Sequence, residues 1–328
     1  MVIVIHTEPF LVGSSKGDWY YLGNFLQQIS SFAVPFFFVA AGYFFSKGIE
    51  REKVFSRWWR YTSRLSVLLT LWILIDGIFW GPWFGQIIKA GSLSPLLWNL
   101  SAIPSFAYKH PDLFFLRGTA VPLWFLVSLI VAISILALCV KISLSANGVL
   151  AIGLSAYVFS LATSSYADSA IGIGVTLPLE QRGPAIAFAF LAVGHYISQR
   201  DFRLKHPGWI LALATLLMFL ESVSLSQCRE EIFQERPYLF STLLLAASGL
   251  LFALQNPALG AATLISRVGN RSLGMYLTHT PVLGALGIIR SQFASPLWEL
   301  FFPFLVFSLS YWIVLVLLKT PYARILVR

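Results

Sequence analysis

The chain has 328 residues, 57% of them hydrophobic and 11% charged, with a formal net charge of +9 and a mean hydropathy of +0.76. Soluble domains carry about 25% charged residues, so this composition excludes a soluble globular protein and points to an integral membrane protein. The basic excess is then mainly a topology signal, because nothing in the chain forms a soluble surface to present to nucleic acid, and no nucleic-acid partner is expected. Two cysteines, Cys139 and Cys228, exclude a disulfide framework and lack metal-site spacing, so no metal is expected.

The chain opens on MVIVIHTEPFLV. An apolar stretch over 2–12, at 1.5 Å per residue, covers roughly half of a hydrocarbon core about 30 Å thick. It is expected to be an incomplete first span. It has no basic leading region and no small-residue cleavage site, which argues against a signal peptide. Nine further apolar runs follow at 29–46, 65–83, 121–140, 149–163, 185–197, 209–220, 238–254, 273–289 and 297–318. The runs beginning at Val149, Ala185 and Trp209 are short for a spanning helix. The expected fold is all-α: a polytopic transmembrane helix bundle of about ten spans, forming a single domain over 1–328.

Basic residues gather between the second and third runs (Lys47, Arg51, Lys53, Arg57, Arg60, Arg64), between the sixth and seventh (Arg200, Arg203, Lys205), and at Arg267, Arg271, Lys319, Arg324 and Arg328. The positive-inside rule makes these loops and both termini cytoplasmic. Most acids, including Asp18, Asp112, Asp168, Glu180, Glu230, Glu231 and Glu235, fall on the opposite side. The longest stretch outside the spans, 85–120, contains Pro95, Pro104, Pro111, Trp98, Phe106 and Tyr108. It suits either an interfacial cap over a cavity or an ordinary connection.

Ionisable and polar groups at membrane depth are functional candidates by default. His6 lies in the first apolar stretch, Asp76 several turns into the third span, and His279 two residues before Pro281, which can bend its helix. His195 and Glu221 also occupy spans or their ends. Any one of them alone also fits a satisfied interhelical hydrogen bond. In SRWWRYTSR, Arg57, Arg60 and Arg64 stand at spacings of three and four, which puts their guanidinium groups on one helix face. Such a stripe suits a phosphorylated ligand, and equally suits topology anchoring with contact to anionic membrane lipids.

Six segments in order, VIVIHTEPF, SFAVPFFFVAAGYFFSKG, RWWR, AVPLWFLVSLIVA, FLAVGHYISQR and RSLGMYLTHTPVL, resemble the acyltransferase-3 family of integral membrane O-acyltransferases over essentially the whole chain. HTEPF and SLGMYLTH resemble the branch that acetylates bacterial surface sugars. The resemblance implies a bacterial cytoplasmic-membrane enzyme that takes an acyl group, usually acetyl, from acetyl-CoA. It implies delivery to a hydroxyl of an envelope glycan or lipid-linked sugar. His6 matches the family's essential His, and Arg57 and Arg60 match its RXXR motif; with Arg64 they are expected to hold the coenzyme A phosphates. The family's first helix also carries an Arg upstream of that His, which here would precede Met1, so the first helix is expected to be truncated.

Chemistry agrees with a base at His6: an imidazole of reference pKa near 6.5 can accept the proton of a sugar hydroxyl as it attacks a thioester. Glu8, Tyr43, Asp76 and His279 are candidates for supporting roles, and His6, His279 or Tyr43 could carry a transient acyl group. Direct transfer and an acyl-enzyme route both stay open. Two other readings compete: a transporter or flippase of a glycan precursor, and a catalytically inactive member of the same family.

Overall fold

A computed structural model describes residues 1–11, 17–47, 49, 53–169, 171–173, 183–200, 202–227, 232–290, 292–293 and 295–327. Cys228, Arg51, Glu180, Glu230, Glu231 and Arg328 lie outside the described residues. In chain order the helices are α1 (Val2–Thr7), α2 (Asp18–Ser31), α3 (Ala33–Ser46), α4 (Val54–Ile78), α5 (Trp83–Ala90), α6 (Ser94–Lys109) and α7 (Pro111–Arg117). They continue with α8 (Trp124–Lys141), α9 (Ala146–Ala162), α10 (Pro184–Ser198), α11 (Pro207–Gln227), α12 (Phe240–Gln255), α13 (Leu264–Gly269), α14 (Ser272–Arg290) and α15 (Pro296–Lys319). Among the described residues there is no strand. A membrane leaves helices as the way to satisfy the backbone internally unless a barrel closes.

Among the described residues, six stretches are long and apolar enough to cross a membrane: Trp19–Ser46, Val54–Ile78, Val121–Lys141, Pro207–Gln227, Ser272–Arg290 and Pro296–Lys319. Three shorter apolar helices, Ala146–Ala162, Pro184–Ser198 and Phe240–Gln255, occupy the remaining predicted positions. The fold is thus the expected polytopic helical membrane protein. Its boundaries differ in three places. The run beginning at Trp209, short by its apolar residues alone, lies in the 21-residue α11, Pro207–Gln227, which is long and apolar enough to cross a membrane. The third span begins at Val54, so SRWWRYTSR forms its first turns rather than a connection leading to it. The stretch 85–120 is largely helical, in α5, α6 and α7.

The chain divides into two compact units, with divisions after residues 2, 15, 63, 127 and 259, three of which fall inside α1, α4 and α8. The first comprises residues 1–2, 16–63 and 128–259. Its centre is α10, buried continuously from Ile186 to Gly194, as expected of a helix apolar on every side. Close approach to α3 depends on glycine: a Cβ at Gly194 would lie 2.0 Å from the Val39 carbonyl oxygen, and one at Gly42 would lie 2.2 Å from that of Leu191. His195 and Ser46 join the same two helices through an Nδ1–Oγ hydrogen bond of 2.9 Å. Glu221 caps the start of α12, accepting from the backbone N–H groups of Phe240 at 2.9 Å and Ser241 at 2.8 Å. A carboxylate is favoured there because a helix N-terminus presents unpaired donors and positive potential.

The second unit comprises residues 3–15, 64–127 and 260–328. Its core is the α14–α15 pair, where Met275, Val282, Leu286, Phe302, Val306 and Val314 pack with Ile3 and Val327. α5 lies along α14: Trp83 donates through Nε1 to the Pro281 carbonyl at 2.9 Å, and Gly284 leaves room for the Gly81 carbonyl, which a Cβ would meet at 2.4 Å.

Candidate active site

The site in the second unit is built around a helix too short to stand alone. α1 has six residues, and isolated helices shorter than about 12–15 residues are marginal in water. Ile3 fixes it by entering the α14–α15 core. Thr7, 1% exposed, closes its last turn by donating through Oγ1 to the Ile3 carbonyl at 2.9 Å. His6 is half-buried, and its ring lies 5.1 Å from the ring of His279, at 34° between planes. Two imidazoles far apart in sequence are thereby brought together.

His279 is 1% exposed. Its Nδ1 lies 2.5 Å from the Tyr276 carbonyl, a group that only accepts, so Nδ1 carries the proton of the neutral ring. Nε2 is then the nitrogen with the lone pair, and it is buried without a hydrogen-bond partner among the described residues. Tyr276 stands three residues earlier on the same face. Its ring packs 5.7 Å from His279 and 5.2 Å from Phe125, and its hydroxyl donates to the Pro122 carbonyl. The sequence reading did not single out Tyr276, although it belongs to the same SLGMYLTH segment and the i, i+3 spacing to His279 was the available signal.

Immediately after α1 the chain turns sharply, with Glu8 at φ 44° and Phe10 at φ 64°. The Glu8 side chain is exposed and makes no hydrogen bond to His6; its carbonyl instead accepts from Arg290 Nη2 at 3.3 Å. The Phe10 N–H donates to Glu299 Oε2 at 3.2 Å, and Arg290 pairs with that same oxygen at 2.8 Å. Neither Arg290 nor Glu299 was legible as a site neighbour, since they flank a connection between two spans.

Asp76 is 2% exposed, with both carboxylate oxygens buried and no hydrogen-bond partner among the described residues. It shares the face of α4 that carries Leu68 and Trp72, and Trp72 donates to the Leu326 carbonyl at 2.8 Å. Asp76 makes no hydrogen bond to either imidazole. Burial of a polar group without a partner is costly.

The remaining candidates belong to the first unit, apart from Arg64, which falls just across its boundary. Arg57 donates to the Phe44 carbonyl at 2.5 Å, with its guanidinium 6.0 Å from the Phe45 ring centre, so it seals the C-terminal end of α3. Trp58 donates through Nε1 to Ser134 Oγ at 2.8 Å, while Trp59 is 60% exposed. Arg60 is exposed and has no partner among the described residues; Arg64 is exposed as well. The stripe therefore contains one arginine committed to the fold and an exposed one with no partner among the described residues. Tyr43 lies beneath Lys47, whose Nζ is 5.6 Å from its ring centre, and lines a 610 Å³ cavity with Lys47, Gln199, Arg200 and Arg203.

The family model for acyltransferase-3, described as an acyltransferase domain, covers residues 1–318. No curated protein and no solved structure matches the chain.

Proposed function

The chain belongs to the acyltransferase-3 family and is a membrane acyltransferase, and on that premise we propose that it moves an acetyl group from acetyl-CoA to a hydroxyl of a bacterial envelope glycan or lipid-linked sugar, with His6 as general base. The observation that carries this reading is the His6–His279 pair, 5.1 Å between ring centres inside the α1–α14–α15 assembly.

In this mechanism the acceptor hydroxyl gives its proton to His6 as its oxygen attacks the thioester carbonyl, and the coenzyme A thiolate leaves as the ester forms. His279 presents a buried lone pair beside the base. It can receive a hydrogen bond from the protonated His6 ring and favour the charged state that proton transfer creates. Tyr276 sets that lone pair in place by holding Nδ1 of His279 through its carbonyl. Proton abstraction by a positioned side chain contributes typically 10²–10⁴-fold.

At the donor end, Arg60 supplies a forked, permanently charged group suited to the phosphates of coenzyme A, and Arg64 adds to the same helix face. Arg57 supports them by holding the end of α3. The enzyme sits in the bacterial cytoplasmic membrane with these arginines and the C-terminus on the cytoplasmic side.

The test is ester-linked acetyl on surface glycans, read by NMR before and after mild alkali, in cells producing the protein or its His6→Ala variant. Alkali-labile acetyl that depends on His6 supports the reading. Absence of ester with the inserted wild-type protein and a suitable host glycan contradicts it, because a transporter or an inactive relative leaves its substrate chemically unchanged.

A further inference from the structure

We propose that Arg290 and Glu299 are positioning residues for His6: their ion pair buckles the turn that follows α1 and so sets the imidazole against His279. The inference rests on the reading of His6 as the base and extends it to two residues on other helices.

The local sequence cannot hold His6 in place by itself. α1 is a single short helix, and the turn after it contains two residues with side chains, Glu8 at φ 44° and Phe10 at φ 64°, in a backbone region that glycine favours. Such conformations persist when surrounding contacts over-determine them, and they cluster at functional sites. The contacts are supplied from both sides of the turn. Arg290, the last residue of α14, reaches the Glu8 carbonyl at 3.3 Å, and Glu299, in the first turn of α15, takes the Phe10 N–H at 3.2 Å. The two side chains close the loop on each other at 2.8 Å.

The buckle is itself held. The side chains of Arg290 and Glu299 are only 15% and 16% exposed, and the Arg290 guanidinium lies 4.9 Å from the ring centre of fully buried Phe302. Loss of either partner leaves a largely buried charge without its counterpart and also frees one side of the turn. The Phe10 side chain, 4% exposed, closes the turn from within. His6 stands two residues before the first of these clamped positions, so a shift of the turn moves the ring. A misplacement near 1 Å can cost about a hundredfold in rate.

The experiment compares purified wild-type protein with Arg290→Ala, Glu299→Ala and Glu299→Gln. The readouts are kcat, KM for acetyl-CoA, and the rate at which diethyl pyrocarbonate modifies His6, followed by mass spectrometry. Gln at 299 retains an acceptor for both Phe10 N–H and Arg290, so it guards against a simple failure to fold. The expected result is a fall in kcat of about tenfold to a hundredfold in the two Ala variants, with KM within twofold of wild type, faster His6 modification, and substantial recovery in Glu299→Gln. An unchanged His6 modification rate in folded Ala variants overturns the proposal, as does a kcat within twofold of wild type where His6→Ala is inactive. If His6→Ala keeps full activity, the base assignment fails instead, and the modification rate still reports on the buckle.

Discussion

The histidine pair and the arginine stripe are built by opposite means. His6 and His279 lie far apart in sequence and meet where α1 enters the α14–α15 core through Ile3, with the turn after it hydrogen-bonded to Arg290 and Glu299. Arg57, Arg60 and Arg64 are neighbours by helical spacing alone, on the first turns of α4. One region holds a buried, hydrogen-bonded ring beside a half-buried one; the other is largely exposed. Under the proposed roles, the contrast is the one expected between groups held in a packed setting for transition-state chemistry and long side chains that grip a charged, hydrated ligand while still seeing water.

The largest effect separating the two regions is expected at His6. His6→Ala should lower the acyl-transfer rate by about 10²–10⁴-fold with KM for acetyl-CoA little changed, as judged by steady-state kinetics on correctly inserted protein. His279→Ala should follow, with a loss of about a hundredfold that His279→Gln recovers in part, since Gln can still offer an acceptor beside His6. Equal activity in His279→Ala and wild type would detach His279 from the site and leave His6 acting alone.

Across the comparison, Arg60→Ala should raise KM for acetyl-CoA about tenfold, as expected for loss of one charge-assisted hydrogen bond worth about 1.5–3 kcal/mol, with kcat nearly constant. The defect should shrink as salt rises, because exposed charges are screened within about 10 Å at 0.1 M ionic strength. A fall in kcat with no change in KM would place Arg60 with the chemistry and erase the distinction drawn here.

The smallest expected effect on turnover lies within the stripe itself. Arg57→Ala should destabilise the protein by about 1–3 kcal/mol, visible as a lower melting temperature in detergent, because it removes the donor to the Phe44 carbonyl. Its KM effect should be smaller than that of Arg60→Ala. A large KM change with unaltered melting would reverse the two roles.

Much of the fold was legible because apolar runs of membrane length are a strong, local signal. Each of the nine later runs coincides with an apolar helix. The start of α4 was misjudged because hydropathy discounts the charged turns of SRWWRYTSR, although Arg and Trp are compatible with a helix. The helices across 85–120 were hidden by their prolines, two of which, Pro95 and Pro111, sit in first turns, where the missing N–H costs little.

At the site, single residues were legible and their partnership was not. His6 and His279 stood out as polar groups in apolar surroundings, yet no spacing rule joins positions at opposite ends of a chain. Glu8 was the natural neighbour of His6 by sequence, and the structure employs its carbonyl while its carboxylate faces outward. Arg290 and Glu299 resemble ordinary charges at helix ends until the turn at Glu8 and Phe10 is seen between them.

The most direct test of the central claim is transfer of labelled acetyl from acetyl-CoA to envelope glycan by purified His6→Ala protein, measured with and without added imidazole. Negligible ester formation by the variant is expected, with partial recovery when imidazole supplies the missing base. Ester formation by His6→Ala at the wild-type rate would contradict it.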